Sequence, residues 1–101
     1  NKMPLFLINA RDKDDSSELR LATRQAHLEW AGDARHRIAM AGPVLSDDGE
    51  KMQGSTFVIE FENLEDAKAW AAEDPYAKAG LFKSTEITPF IWLIGDGPRD
   101  G

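Results

Sequence analysis

The sequence predicts a small α+β sandwich in which two helices cover one face of a four-stranded antiparallel sheet. Its 101 residues suit a single domain with a hydrophobic core of its own. Segments with strand-like and helix-like patterns follow one another in the order strand, helix, strand, strand, helix, strand. Right-handed crossovers in the two βα units fold that order into a split βαβ arrangement. The predicted fold class is therefore a ferredoxin-like βαββαβ sandwich.

The first strand and the first helix are predicted within residues 4–32. Residues 4–9 form an apolar run without helical spacing, as in a central strand buried on both faces. Asp15 and Glu18 then have the spacing of a capping box, which predicts a helix over about 16–32 that stops at Gly32. The side of this helix with the regular spacing of a packed face carries Leu21, Arg24, Gln25, Leu28 and Ala31.

A hairpin is predicted next along the chain. Residues 37–45 form the second predicted strand, and Asp48-Gly49 is a strong signal for a tight turn. Residues 55–61 then alternate in polarity, as in a strand with one buried face. Phe57, Ile59 and Phe61 share one face, and Thr56, Val58 and Glu60 share the other.

The second helix and the last strand complete the predicted fold. Asn63 is a favoured capping residue for a helix over 64–73. The apolar stripe of this helix consists of Leu64, Ala67, Trp70 and Ala71. Residues 85–94 are strand-like but contain Pro89, which cannot donate a ladder hydrogen bond and so predicts an edge strand.

The charge and composition exclude several classes of partner. The formal net charge is −6, whereas nucleic acids and anionic membranes require a basic surface. No apolar run approaches the roughly 18 residues of a membrane span. The chain has no cysteine, so disulfides and thiolate chemistry are excluded. We expect a cytoplasmic location, without nucleic-acid or membrane partners.

One domain is expected over residues 3–94. Asn1 and Lys2 precede Met3 and are expected to be a remnant of cloning. Residues 95–101 are polar and rich in glycine, which predicts a flexible tail.

The first strand also predicts self-association. Leu5 and Leu7 point to one face of the sheet, while Phe6 and Ile8 point to the other. Two helices cover only one of these faces, and a large exposed apolar face is rare in a monomer. We expect a second copy of the chain to cover it, giving a homodimer; assembly beyond a dimer is left open.

The stretch from Asp74 to Phe82 combines residue types that a plain connection would not need. Asp74 precedes Pro75, which pushes its backbone out of the helical region and can aim the carboxylate inward. Tyr76 adds a large apolar body with a polar tip, and Gly80 permits a backbone conformation that other residues resist. The plainer interpretation of the same residues is a helix stop anchored on the core.

His27 is the candidate acid and base, because histidine exchanges a proton near neutral pH. Arg24 lies three residues earlier, on a neighbouring helical position, and can bind a carboxylate through two hydrogen bonds. If Asp74 faces His27, it fixes the tautomer of the imidazole and stabilises its charged form. These groups would suffice for proton abstraction or elimination on a small organic acid. The alternative is that His27 and Arg24 lie on the solvated side of the helix.

Other candidates carry less chemistry. Ser55 lacks the context of a catalytic nucleophile and is expected to hydrogen-bond substrate or backbone. His36, between two arginines, is expected to be solvated. The two histidines are nine residues apart without a tight carboxylate cluster, and the acidic stretch 12–15 lacks the glycine and glutamate of a calcium loop. We expect no metal and no cofactor.

Four motifs, in order over residues 3–94, resemble the YciI-like (YCII-related) family. They are Arg24-Gln25-Ala26-His27-Leu28, Ala41-Gly42-Pro43-Val44-Leu45, Asp48-Gly49 with Gly54-Ser55, and Asp74-Pro75-Tyr76-Ala77-Lys78-Ala79-Gly80-Leu81-Phe82. The resemblance implies a subunit of a dimeric α+β barrel, with His27 and Asp74 as a catalytic pair in a pocket beside the sheet. Similar enzymes are a dehydrochlorinase of a chlorinated muconate-type acid and, more distantly, muconolactone isomerase.

The functional expectation is a cofactor-independent lyase, isomerase or dehydrochlorinase acting on a small unsaturated organic acid. His27 and Asp74 would be catalytic, and Arg24, Ser55 and Tyr76 would contact the substrate. The alternatives are a ligand-binding module without turnover and a purely structural dimer module. Catalysis requires His27 and Asp74 within hydrogen-bond reach and open to a cavity. A binding module would have the cavity without a reactive geometry, and a structural module would hold both residues in surface salt bridges with no cavity.

Overall fold

The computed structural model describes residues 3–96, which form the predicted ferredoxin-like βαββαβ sandwich. The strands are β1 Leu5–Asp12, β2 Ile38–Leu45, β3 Met52–Glu60 and β4 Phe82–Phe90; the helices are α1 Ser17–Asp33, α2 Leu64–Ala72 and the short α3 Pro75–Lys78, with a 3-10 turn at Arg35–Arg37. The expected cloning remnant at 1–2 and the tail residues 97–101 lie outside the described residues. No helix within residues 3–96 is long and apolar enough to cross a membrane.

The four strands form one antiparallel sheet in the order β2-β3-β1-β4. β4 is an edge strand, as Pro89 predicted, although it runs over Phe82–Phe90 instead of 85–94. The β2–β3 hairpin turns at Gly49, whose φ of 77° is in the region that favours glycine. Both long helices pack on the same face of the sheet.

The core lies between that face and the two helices. Phe6 pairs with Ile59 and Ile8 pairs with Phe57 across β1 and β3, so the four side chains share one face. The core cluster consists of Phe6, Ile8, Phe57, Ile59, Phe61 and Ala67, and the side chains packed against it include Trp30, Ala31, Ile38, Leu64, Trp70, Ala71 and Ile87. The opposite face, which carries Leu5 and Leu7, has no helix over it.

The start of α1 differs from the predicted capping box. The helix begins at Ser17 with Ser16 as its N-cap, and no side chain caps it. Asp15 has a φ of 57°, so it belongs to the turn before the helix and not to the cap. The Ser16 hydroxyl donates instead to the carbonyl oxygen of Asp14, at 3.2 Å. The helix also continues one residue past Gly32.

The buried face of α1 was also predicted wrongly. Leu21 is 74% exposed and Leu28 is 45% exposed, whereas Arg20 and His27 are buried. The helix is rotated away from its most apolar side because Arg20 and His27 each find a buried carboxylate partner. The solvated alternative is therefore wrong for His27, although it holds for Arg24, which is exposed.

The second helix agrees with its prediction. The Asn63 side chain accepts a hydrogen bond from the Asp66 backbone N–H at 2.8 Å, and the expected stripe packs on the core. After α2 the chain forms a further short helix instead of a plain connection to β4. Asp74 caps the additional helix α3, and the turn at Gly80, with a φ of 79°, leads into β4.

Candidate active site

His27 and Asp74 are hydrogen-bonded inside the molecule. Nδ1 of His27 lies 2.8 Å from Oδ1 of Asp74, and the two side chains are 11% and 4% exposed. An ionised carboxylate only accepts hydrogen bonds, so Nδ1 carries the proton of this contact. The arrangement matches the base and orienting carboxylate of catalytic triads.

Local backbone structure fixes the position of the Asp74 carboxylate. Its ψ of 124° is the extended conformation expected before Pro75, which occupies the first helical position of α3. Oδ1 of Asp74 accepts the backbone N–H of Tyr76 at 2.9 Å, as an N-cap does. One carboxylate oxygen therefore holds both the start of α3 and the histidine ring.

Aromatic side chains hold the His27 ring. The Tyr76 ring stacks on it with centroids 4.1 Å apart and an angle of 19° between the planes. Trp30 and Phe57 lie near it at 5.7 and 6.1 Å. No buried side-chain nitrogen or oxygen among residues 3–96 lacks a hydrogen-bond partner. Nε2 has no hydrogen-bond partner among these residues, so this second ring nitrogen is not fully buried.

A buried ion pair that the sequence analysis missed supports this arrangement. Nε and Nη2 of Arg20 donate to the two carboxylate oxygens of Asp12, at 2.7 and 3.1 Å. Nη2 also donates to the Ser55 hydroxyl at 2.9 Å. The guanidinium carbon lies 4.5 Å from the centroid of the Tyr76 ring. Arg20 thus joins β1, β3 and the aromatic ring that stacks on His27.

A signal for Arg20 was present in the sequence. It lies seven residues, or about two helical turns, before His27, so both occupy the same face of α1. The sequence analysis instead chose Arg24, which lies three residues before His27. The sequence does not identify Asp12 as the partner of Arg20, since Asp14 and Asp15 are aspartates of the same acidic stretch.

The Tyr76 hydroxyl is held in its neutral form. Burial raises the pKa of Tyr76 above its ordinary value, with the charges of Asp74 and Asp12 acting in the same direction and those of Arg20 and Arg24 opposing it. The neutral hydroxyl remains a hydrogen-bond donor at physiological pH.

The residues expected to contact the substrate differ in their exposure to solvent. Arg24 is exposed, but its charge acts on Tyr76, so it lies near the His27 cluster. Ser55 is 4% exposed and accepts from Arg20, and Tyr76 is 1% exposed. His36 is exposed, as expected.

The sequence analysis expected a cavity beside the His27–Asp74 pair and no metal site. A surface cavity of about 630 Å³ lies near Lys13 and Lys83, and one of about 310 Å³ lies between Met40, Val58 and residues 90–94; neither is lined by His27 or Asp74. The expected opening of the pair onto a cavity is therefore not found at either of these two cavities. No cluster of three or more histidine and carboxylate side chains that could hold a metal occurs within residues 3–96.

Fold and site together describe a ferredoxin-like α+β domain with a buried histidine–carboxylate pair that links α1 to the start of α3. The chain belongs to the YCII-related family, since the model of the YCII-related domain matches residues 4–91.

Relatives cover almost the whole domain. The protein YciI of Escherichia coli O6:H1 (strain CFT073) is 42% identical over 94 residues, which is 85% of this chain and 95% of that protein. An uncharacterized protein of Haemophilus influenzae is 39% identical over 92 residues, or 84% of this chain and 94% of the relative.

A solved structure of similar fold is that of an enzyme. It is the 5-chloro-2-hydroxyhydroquinone dehydrochlorinase of Burkholderia phenoliruptrix AC1100, in complex with 2,5-dihydroxybenzoquinone. The two structures superpose with a TM-score of 0.79 at 32% identity, over 90% of this chain and 95% of the enzyme.

Proposed function

We propose that the protein is a cofactor-independent enzyme that transfers a proton on a small unsaturated organic acid. His27 would be the general acid and base, and Asp74 would orient and stabilise its ring. The observation that carries this proposal is the 2.8 Å contact between His27 Nδ1 and Asp74 Oδ1, with Nε2 outside any hydrogen bond among the described residues. A dehydrochlorinase with this fold at 32% identity supports the same class of chemistry.

The proton would move through Nε2 of His27. Nε2 takes a proton from a C–H or O–H next to the conjugated system of the substrate, and the electron pair passes into that system. Return of the proton at another carbon gives an isomerase, whereas departure of a leaving group such as chloride gives a lyase. Protonation of Nε2 gives an imidazolium, and Asp74 would lower the barrier by stabilising that cation through its hydrogen bond to Nδ1–H.

Substrate contacts are proposed from exposure. Arg24 is exposed and lies near the cluster, so it would bind the acidic oxygens of the substrate. Ser55 and Tyr76 are both almost fully buried, so we propose that they act mainly by holding Arg20 and the His27 ring. Their hydroxyl hydrogens remain able to donate to a substrate oxygen that reaches them.

The ligand of the related enzyme refines the class of substrate. A hydroxyquinone carries acidic hydroxyls conjugated with carbonyls, so it shares its acidic oxygens and unsaturation with an unsaturated carboxylic acid. Chlorinated hydroxyhydroquinones and unsaturated carboxylic acids are therefore the two groups of compounds to test first.

Exchange of carbon-bound hydrogen in D2O tests proton transfer without knowledge of the reaction direction. Each compound is incubated with the protein and followed by proton NMR, with chloride release measured for the chlorinated ones. We expect exchange or turnover with at least one compound, reduced about 10²–10⁴-fold in His27→Gln. His36→Gln is the matched control and should retain the wild-type rate.

The same assay separates the alternatives. Saturable binding of a compound with no exchange in wild type would favour a ligand-binding module. Neither binding nor exchange across both groups would favour a structural module and overturn the enzyme proposal.

We further propose that the protein is a homodimer built on the face of the sheet that no helix covers. This face carries Leu7, Met40 and Val58, and beside it the segment 91–94 exposes large apolar side chains. Ile91, Leu93 and Ile94 are 75%, 83% and 91% exposed. Such a patch favours association, and a second copy is the occupant that supplies a matching apolar face.

We propose residues 3–94 as the domain, and the cytoplasmic location stays a prediction.

Sedimentation analysis tests the dimer. We expect wild type to sediment at twice its monomer mass and the double variant Ile91→Asp with Leu93→Asp to shift toward monomer. Leu21→Asp changes an equally exposed leucine on α1 and should leave the mass unchanged. A wild-type monomer at all concentrations would contradict the proposal.

A further inference from the structure

A cavity of about 630 Å³ lies at the end of the sheet where β1 finishes and where β3 and β4 begin. The loop between β1 and α1 closes it on one side. Four cationic side chains line it: Arg11, Lys13, Lys51 and Lys83. They come from three different segments of the chain, so the fold brings them together and local sequence does not.

None of the four cationic side chains of this cavity forms an ion pair with a carboxylate of residues 3–96. The ion pairs found among residues 3–96 are Arg20–Asp12, His27–Asp74 and Lys78–Glu73, and none includes a cation of the cavity. Lys51 also faces Asp48, whose carboxylate already accepts hydrogen bonds from the Ser46 hydroxyl and the Glu50 backbone.

The carboxylates that line the cavity do not cancel its charge. Asp12 is neutralised by Arg20, which leaves only Asp14 and Asp15 against four cations. No group of three or more carboxylates and histidines among the described residues is arranged to hold a metal. In a chain of net charge −6, a local positive excess inside a cavity calls for an anionic occupant.

We propose that this cavity binds a small organic polyanion, one that carries a phosphate or several carboxylate groups. Its volume lies in the range of small-molecule sites, and several convergent cations bind a multiply charged anion through charge-assisted hydrogen bonds. A macromolecular polyanion is disfavoured because the net negative charge of the chain repels it outside the cavity.

The cavity is a separate site from the His27–Asp74 pair. Its lining residue Ser17 begins α1, and His27 lies ten residues further along, or about 15 Å at the rise of an α-helix. The two sites nevertheless share a scaffold. Asp12 lines the cavity while its carboxylate binds Arg20, and the Lys13 backbone N–H donates to the Leu81 carbonyl at 2.8 Å. This inference does not depend on catalysis at His27.

Titration of the labelled protein with pyrophosphate and with citrate tests the site. Both anions are added at constant ionic strength, and the backbone amide signals are followed by NMR. We expect saturable shifts centred on residues 11–17, 51–53 and 83, which border the cavity. A response to pyrophosphate alone identifies a phosphate ligand, and a response to citrate alone identifies a carboxylate ligand.

Matched variants decide whether the cations are responsible. Lys13→Gln combined with Lys83→Gln should weaken binding roughly tenfold, since two charge-assisted contacts are lost. Lys68→Gln removes an exposed cation of α2, away from the cavity, and should bind as wild type does. Arg11→Gln gives an independent test if the double variant loses its fold. No saturable shift with either anion, or equal binding in all variants, would overturn the proposal.

Discussion

The two long helices on the covered face of the sheet are built differently. α2 has a side-chain cap at Asn63 and buries an apolar stripe against the core. α1 has no side-chain cap, exposes Leu21 and Leu28, and buries Arg20 and His27. One helix follows the hydrophobic pattern of its sequence, and the other departs from it.

The difference shows that paired, buried polar side chains can outweigh the burial of leucines in setting the orientation of a helix. Exposing a leucine forgoes up to about 1.5–3 kcal/mol of hydrophobic stabilisation. In return, the orientation of α1 brings His27 to Asp74 and Arg20 to Asp12. Departures from local sequence rules are expected at functional sites, and α1 carries the candidate site while α2 carries none of its residues.

The largest expected effect is at the buried ion pair. Arg20→Met leaves the Asp12 carboxylate buried without its cation, so it should lower the free energy of unfolding by about 3–5 kcal/mol. Lys78→Met breaks an exposed pair with Glu73 and should cost about 0–1 kcal/mol. Urea unfolding of the two variants measures both values. Equal costs would mean that the inner face of α1 is not held by this pair.

A smaller effect distinguishes the two helix starts. Asn63→Ala removes the hydrogen bond to Asp66 N–H and should cost about 1 kcal/mol. Ser16→Ala removes no capping hydrogen bond, so it should lower the free energy of unfolding by only about 0.3 kcal/mol. Thermal unfolding reports the contrast, and a larger loss for Ser16→Ala would show that α1 is capped after all.

The smallest effect is on the outer face of α1. Leu21→Gln should change the free energy of unfolding by less than about 0.5 kcal/mol, as for an ordinary surface position. The same change at Leu64, which packs against the core from α2, should cost more than about 1 kcal/mol. Similar losses at both positions in urea unfolding would remove the distinction between the helices.

Much of the fold could be predicted from periodicity alone. The alternation of Phe57, Ile59 and Phe61 predicted the inner face of β3 and the core residue that follows it, and Pro89 predicted an edge strand. The ends of β4 and the helix α3 were missed. A four-residue helix has too few residues for a periodic signal, and its cap Asp74 resembles an ordinary helix stop.

The candidate site was only partly predictable, for a physical reason. His27 and Asp74 were chosen as a pair, but a single sequence does not report the contact between residues 47 positions apart. Arg24 was chosen because it lies three residues before His27, and the leucines were assumed to mark the buried face of α1. A buried ion pair violates that assumption, because each charge offsets its lost hydration through the opposite charge of its partner.

The tautomer of His27 tests the central claim most directly. Ring-nitrogen NMR at a pH where the imidazole is neutral distinguishes protonated Nδ1 from protonated Nε2, with His36 as an internal reference in the same spectrum. We predict that His27 has its proton on Nδ1 and a bare Nε2, and that Asp74→Asn removes this preference without affecting His36. A proton on Nε2 in wild type, or a His27 that does not respond to Asp74→Asn, would contradict the proposed proton-transfer pair.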